Sequence, residues 1–98
     1  MALYEAQCRC LFDALEKIGW HRRDDFVYAP HETMWLMVSQ PWTGDLQDFH
    51  DRMVGRLQRV SGMRALLRSD AEHQKGVDDV TGLVQVLRGM IADESNVT

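Results

Sequence analysis

Hydrophobic residues near the N-terminus recur at alternating spacings of four and three positions, the pattern of one side of an α-helix. The positions that form this stripe are Tyr4, Cys8, Leu11, Leu15 and Ile18. Gly19 follows the stripe, and glycine commonly ends a helix because it adopts left-handed backbone angles without strain. Trp20 is placed to fold back toward Leu15. The pattern therefore predicts a first helix over about residues 3–18.

Two runs of β-branched and aromatic residues follow, at residues 26–28 and from Thr33 to Ser39. Pro30 lies between them at a position that β-turns favour, so the two runs predict a hairpin. Alternate side chains of the second run point to opposite faces: Met34, Leu36 and Val38 on one, Trp35 and Met37 on the other. Both sets are apolar, so we expect this strand to be covered on both faces.

Two further amphipathic stretches predict helices in the second half of the chain. The first starts after Pro41, has Thr43 or Asp45 as its cap, and ends near Gly62. Its apolar side consists of Leu46, Phe49, Met53, Leu57 and Val60. The last helix carries the stripe Val77, Val80, Val84, Leu87 and Ile91. Between them, residues 63–76 fit either a helical turn or a short strand, and Gly76 limits any helix there.

These elements predict an α+β fold in the order α-β-β-α-α, with the helices packed on a small antiparallel hairpin sheet. The 98 residues fit one domain with one modest core. The hydrophobic fraction of 45% and the charged fraction of 27% are ordinary for a globular protein, which argues against disorder. We assign residues 1–94 to a single domain and residues 95–98 to a flexible tail.

The charge is unevenly distributed along the chain. From Arg52 to Arg68 there are five arginines and no acidic residue. The rest of the chain contains six basic and fifteen acidic residues, and the formal net charge of the whole chain is −4. Arg52, Arg56 and Arg59 share one helical face and form a basic patch. This patch could bind an acidic protein surface or nucleic-acid phosphates. We favour a simpler role, in which these side chains complement the helix C-terminus and balance acids elsewhere.

No residue pattern in the chain completes a catalytic or metal site. His31 and Glu32 resemble the start of the His-Glu-x-x-His zinc motif, but Trp35 replaces the second histidine. His50 stands beside acidic residues and could act as an acid or base, yet no serine, cysteine or second histidine lies at a suitable spacing. A glycine-rich phosphate loop is also missing from the sequence. We therefore predict no catalytic residues, no metal and no cofactor.

The N-terminal sequence lacks the basic start and long apolar run of a signal peptide. The longest uncharged stretch runs from Thr33 to Gly44, which is too short for the roughly 20 residues of a membrane-spanning helix. Cys8 and Cys10 stand two positions apart on the first predicted helix and cannot easily form a disulfide with each other. We therefore expect a cytoplasmic protein that does not contact a membrane.

The strand from Thr33 to Gln40 is unusual because it contains neither a charge nor a proline. Natural sheets protect their edges with such residues, and a lone two-stranded sheet is marginal in water. Something should therefore cover this edge. A third strand from Ala65 to Leu67, or one from Trp20 to Arg23, would do so. The same strand of a second copy, paired across a two-fold axis into a four-stranded sheet, is the alternative.

The function that we favour is a non-catalytic protein–protein interaction module, a homodimer that could also bind another protein. Aromatic residues and methionine are enriched at interface cores, and the expected interface residues are Thr33, Met34, Trp35, Leu36, Met37 and Trp42. An alternative is a ligand-binding protein or small enzyme with a pocket between hairpin and helices, formed by Tyr28, His31, Trp35 and His50. A second alternative, a nucleic-acid-associated regulator using the arginine face, is disfavoured by the negative charge.

Overall fold

The computed structural model describes residues 5–37, 46–62 and 70–96, and side chains for 7–37, 46–62 and 70–93. Its elements are α1 (Glu5–Lys17), β1 (His21–Arg23), β2 (Phe26–Tyr28), β3 (Trp35–Met37), α2 (Leu46–Gly62) and α3 (Asp70–Asn96). The predicted α+β class and the three helices are confirmed. The predicted order lacked one strand, since the chain runs α-β-β-β-α-α.

Helix α1 ends as its sequence predicts. Gly19 has a φ of 102°, a backbone conformation that favours glycine. Its N–H donates to the carbonyl oxygen of Glu16 at 3.2 Å, and the N–H of Trp20 donates to that of Leu15 at 3.0 Å. These two bonds form a Schellman motif, which satisfies carbonyls at the helix end and folds Trp20 into the core at 3% exposure.

The three strands form an antiparallel sheet in the order β1-β2-β3. Its inner face carries Val27 and Leu36, which stand opposite each other and are both buried. Strand β1 lies within residues 20–23, one of the two segments that we considered as a third strand. It pairs with β2, so it does not cover the outer edge of β3. The other candidate, residues 65–67, lies outside the described residues, as do residues 38–45 and Trp42.

The core lies between the inner face of the sheet and the helices. Its buried members from α1 and α3 include Leu11 and Leu15, and Leu83 and Leu87, all at 0% exposure. Helix α2 adds Phe49 at 1%. Ile18, the last position of the predicted α1 stripe, is instead 44% exposed and lies against α3 at Gly82. Together these buried residues place the helices on the inner face of the sheet.

Helix α3 is longer than the sequence pattern predicts. It begins at Asp70 and runs through Gly76, which we expected to limit a helix, and it continues to Asn96. Gly76 lies where α2 and α3 approach each other, since a Cβ at this position would stand 3.6 Å from Cγ1 of Val60. Contact between the two helices offsets the roughly 1 kcal/mol that glycine costs in a helix interior.

Gly89 offers a test of backbone propensity in α3, because a Cβ there meets nothing within 4 Å. We expect Gly89→Ala to raise the free energy of unfolding by about 0.5–1 kcal/mol. Urea unfolding followed by circular dichroism measures this gain. Gly19→Ala is the opposite control, since its positive φ makes alanine strained. Equal effects of the two substitutions would contradict this explanation.

Candidate functional site

Six side chains project from the outer face of the sheet, away from the core. The strand register arranges them in two cross-strand rows, which together we call the outer-face patch: His21, Tyr28 and Trp35 in one row, and Arg23, Phe26 and Met37 in the other. Tyr28 and Phe26 are half-buried, and the other four are exposed. The patch therefore combines aromatic, apolar and cationic groups on one surface.

The half of the patch next to β1 forms its own polar network. The guanidinium carbon of Arg23 lies 4.4 Å from the centre of the Tyr28 ring, a cation–π contact. Nη2 of Arg23 donates to Oε1 of Glu32 at 2.6 Å, and Nε2 of His21 lies 3.3 Å from the same oxygen. The His21 ring also stacks on Tyr28, with centroids 5.9 Å apart. This half is thus largely satisfied within the chain.

The other half of the patch, on β3, is bare. Trp35 is 58% exposed and Met37 is 37% exposed. Trp35 contacts the network through Tyr28, at a centroid distance of 6.5 Å and an interplanar angle of 40°. We expected β3 to be covered on both faces, but only the face of Met34 and Leu36 is buried. Among the described residues, the helices pack on the inner face of the sheet, which leaves Trp35 and Met37 exposed on the outward face.

The free edge of β3 adjoins this bare half. Strand β3 pairs with β2 along one edge, and no strand within residues 5–37, 46–62 and 70–96 pairs with the other. Its three residues, Trp35, Leu36 and Met37, carry no charge. Backbone donors and acceptors on such an edge are ready to pair with another strand.

The turn that leads into β3 is held by a buried carboxylate from α3. Asp79 is 2% exposed, and its Oδ1 accepts a hydrogen bond from the N–H of His31 at 3.2 Å. Its Oδ2 accepts from the N–H and the hydroxyl of Thr33, at 3.3 and 2.7 Å. Within the turn, the N–H of Glu32 donates to the carbonyl of Ala29 at 2.9 Å. Asp79 therefore fixes the loop that positions Glu32 and Trp35.

The sequence analysis did not identify this role of Asp79. One signal was available. Asp79 precedes Val80 and lies one turn before Leu83, both of which are buried, so it falls on the apolar side of α3. An acid at such a position has to find hydrogen-bond donors, and here the backbone of the β2–β3 turn supplies them.

A groove of about 210 Å³ lies between this turn and the last two helices. Thr33 and Met34 line it from the turn, Arg56 and Val60 from α2, and Gly76 and Val80 from α3. Glu72 of α3 also reaches it. All of these residues belong to the described part of the chain. The groove is separate from the outer-face patch.

The expected interface residues occupy different environments. Trp35 and Met37 point outward, whereas Met34 and Leu36 are buried in the core at 3% and 6% exposure. The hydroxyl of Thr33 is engaged with Asp79. An interface at this strand would therefore use side chains on alternate positions, together with the strand edge.

The four residues that we expected to form a pocket do not meet at the groove. Tyr28 and Trp35 are neighbours on the outer face, His31 lies in the turn, and His50 lies on α2. The members of the predicted basic patch, Arg52, Arg56 and Arg59, are all exposed. Arg52 lies over the Phe49 ring at 5.7 Å, and Arg56 lines the groove.

His50 pairs with its sequence neighbour Asp51. Its Nδ1 lies 3.1 Å from Oδ1 of Asp51, which also accepts a hydrogen bond from Nε2 of Gln47 at 2.9 Å. These hydrogen bonds, that of His50 above all, lower the pKa of Asp51 from its ordinary value of 3.8. Nε2 of His50 is buried and has no partner among the described residues. This arrangement orients the imidazole.

We expect His50→Ala to raise the pKa of Asp51 toward its ordinary value, because the substitution removes the main stabilising hydrogen bond. In the wild type the folded pKa lies below the unfolded one. The interaction therefore stabilises the fold above the unfolded pKa and is lost as the pH falls through the folded pKa. NMR titration of the Asp51 carboxyl measures the shift. Asp25, an exposed carboxylate in the β1–β2 turn, is the internal reference.

The described residues contain no group of three or more histidine, cysteine, aspartate or glutamate side chains arranged to hold a metal ion. Cys8 is half-buried and Cys10 is exposed, and both are free thiols. Within the same residues, no helix has the length and apolar character needed to cross a membrane. The chain matches no protein-family model, no curated protein and no solved structure.

Proposed function

We propose that the protein is a non-catalytic interaction module that forms a homodimer through the free edge of β3. The observation that carries this proposal is the coincidence of an uncharged edge, to which no strand of the described residues pairs, with two exposed apolar side chains, Trp35 and Met37. Large exposed apolar groups on a strand edge invite association. A partner strand would satisfy the backbone groups and place its own side chains beside Trp35 and Met37.

A two-fold axis beside β3 would place two copies of this edge in antiparallel register. Because each copy contributes three strands, the joined sheet would have six strands, where the sequence analysis predicted four. Specific interfaces bury about 1,200–2,000 Å² in total, so the contact has to include the outer-face side chains beside the edge. Trp35 and Met37 of both copies would then adjoin near the axis.

The distribution of charge over the patch supports this orientation. The bare half lies on β3, next to the proposed axis, and the network of His21, Arg23 and Glu32 lies at the far side of the sheet. In a dimer the apolar residues would occupy the centre and the charged residues the rim. Stable interfaces have this anatomy, with a dry aromatic core and a polar, solvated margin.

Sedimentation equilibrium of the intact protein tests the proposal. We expect a mass of twice the 11.3 kDa chain at high concentration, with reversible dissociation on dilution. A strict monomer over the whole concentration range would rule out the dimer. We place the protein in the cytoplasm as part of the same proposal, since its two thiols are free and suit a reducing compartment.

A further inference from the structure

The groove between the β2–β3 turn and the last two helices is a concave feature apart from the outer-face patch. Helices α2 and α3 are joined by a short connection, and Val60, near the end of α2, lies against Gly76, near the start of α3. The two helices therefore run antiparallel. Their seam forms the floor of the groove, and the turn residue Met34 closes one side.

We propose that this groove binds a short aliphatic monocarboxylate, with its carboxylate on Arg56 and its hydrocarbon chain along the helix seam. This site is separate from the proposed dimer interface, because its lining residues are not members of the outer-face patch. The groove has a volume of about 210 Å³, which suits a small ligand such as a carboxylic acid with about six carbons.

The floor of the groove suits a hydrocarbon chain. Met34 and Val80, which line the groove, are 3% and 2% exposed, so their side chains belong to the core. Gly76 contributes no side chain, which leaves the seam open beside Val60. Ligand sites are typically apolar concavities with a small number of polar groups that fix orientation.

The cationic group at this site is Arg56. It is exposed, and within the described residues no carboxylate lies at ion-pair distance from it. Glu72 lies one turn before Gly76 on α3, and Arg56 lies one turn before Val60 on α2. Because the helices are antiparallel, the two charges stand at opposite ends of the groove, and Glu72 has an interaction of its own. An anionic head is therefore favoured at the Arg56 end, where a guanidinium binds a carboxylate through two hydrogen bonds.

Titration of the intact protein with sodium hexanoate, followed by amide chemical shifts in NMR spectra, tests the site. We expect saturable shifts at Met34, Val60 and Gly76, and binding at least about tenfold tighter than that of 1-hexanol, because a charge-assisted hydrogen bond contributes about that factor. Equal binding of hexanoate and hexanol, tighter binding of hexylamine, or the absence of saturable shifts would each overturn the proposal.

Two pairs of variants locate the binding. Arg56→Gln should weaken hexanoate binding about tenfold, whereas Arg59→Gln, a matched change outside the groove, should leave it unchanged. Gly76→Ala places a methyl group on the floor at an ordinary 3.6 Å contact with Val60. It should preserve the amide spectrum and reduce hexanoate binding. Gly89→Ala, which lies outside the groove, should leave hexanoate binding unchanged. If Arg56→Gln and Arg59→Gln behave alike, the carboxylate does not bind at Arg56.

Discussion

Replacing Asp79 by alanine is expected to lower the free energy of unfolding by about 2–3 kcal/mol, because it removes three hydrogen bonds to a buried carboxylate. Such a change lowers the melting temperature by at least about 8 °C in a domain of this size. Thermal unfolding monitored by circular dichroism measures it. Thr33→Val, which removes only the hydroxyl donor, should cost about 1 kcal/mol.

The neighbouring Asp78 provides a matched control. It is exposed and accepts a hydrogen bond from Nε2 of Gln74 at 2.8 Å on the surface of α3. Asp78→Ala should therefore change the stability by no more than about 0.5 kcal/mol. The effects of Asp79→Ala and Thr33→Val should be less than additive, since the two residues share a hydrogen bond. If the substitutions at 78 and 79 cost the same, Asp79 does not hold the turn.

Trp35→Glu is expected to raise the dissociation constant of the proposed dimer by about 100-fold or more. An interface aromatic residue commonly contributes about 2 kcal/mol or more, and a two-fold interface carries each substitution twice. The added carboxylates would also repel each other near the axis. Sedimentation equilibrium of the variant, compared with the wild type at equal concentration, gives the two constants.

Loss of association in Trp35→Glu can be distinguished from loss of folding. Trp35 is 58% exposed in the single chain, so the variant should unfold at nearly the same denaturant concentration when both proteins are monomeric. Gln85→Glu adds the same charge at an exposed position of α3 and should leave the dissociation constant unchanged. A Trp35→Glu protein that dimerises as tightly as the wild type would show that the interface lies elsewhere.

The elements that could be predicted from sequence are those whose signals are local. Helix α1 has an apolar stripe and a glycine that completes its cap, so its end was placed to within one residue. Strand β1 consists of His21, Arg22 and Arg23, all exposed. No apolar alternation marks these residues, because their place in the sheet comes from backbone pairing with β2.

The candidate site also has some features that local sequence patterns predict and others that they do not. The alternation along β3 correctly separated Trp35 and Met37 from the buried face, since a strand has a strict period of two. The network of Arg23, Tyr28 and Glu32 depends on how a turn brings two strands together, which no single segment encodes. Asp79 lies 46 residues from its partner Thr33, so its role requires the folded arrangement.

The dependence of the sheet on α3 has a consequence for synthesis of the chain. The ribosome extends the chain from its N-terminus, so α1 and all three strands emerge before the helix that supplies Val80, Leu83 and Leu87 to their common core. Until α3 emerges, the nascent sheet has neither this apolar cover nor the carboxylate that anchors its second turn. Native packing of the sheet is therefore completed only after α3 leaves the exit tunnel, and until then the nascent sheet exposes apolar surface that α3 later buries.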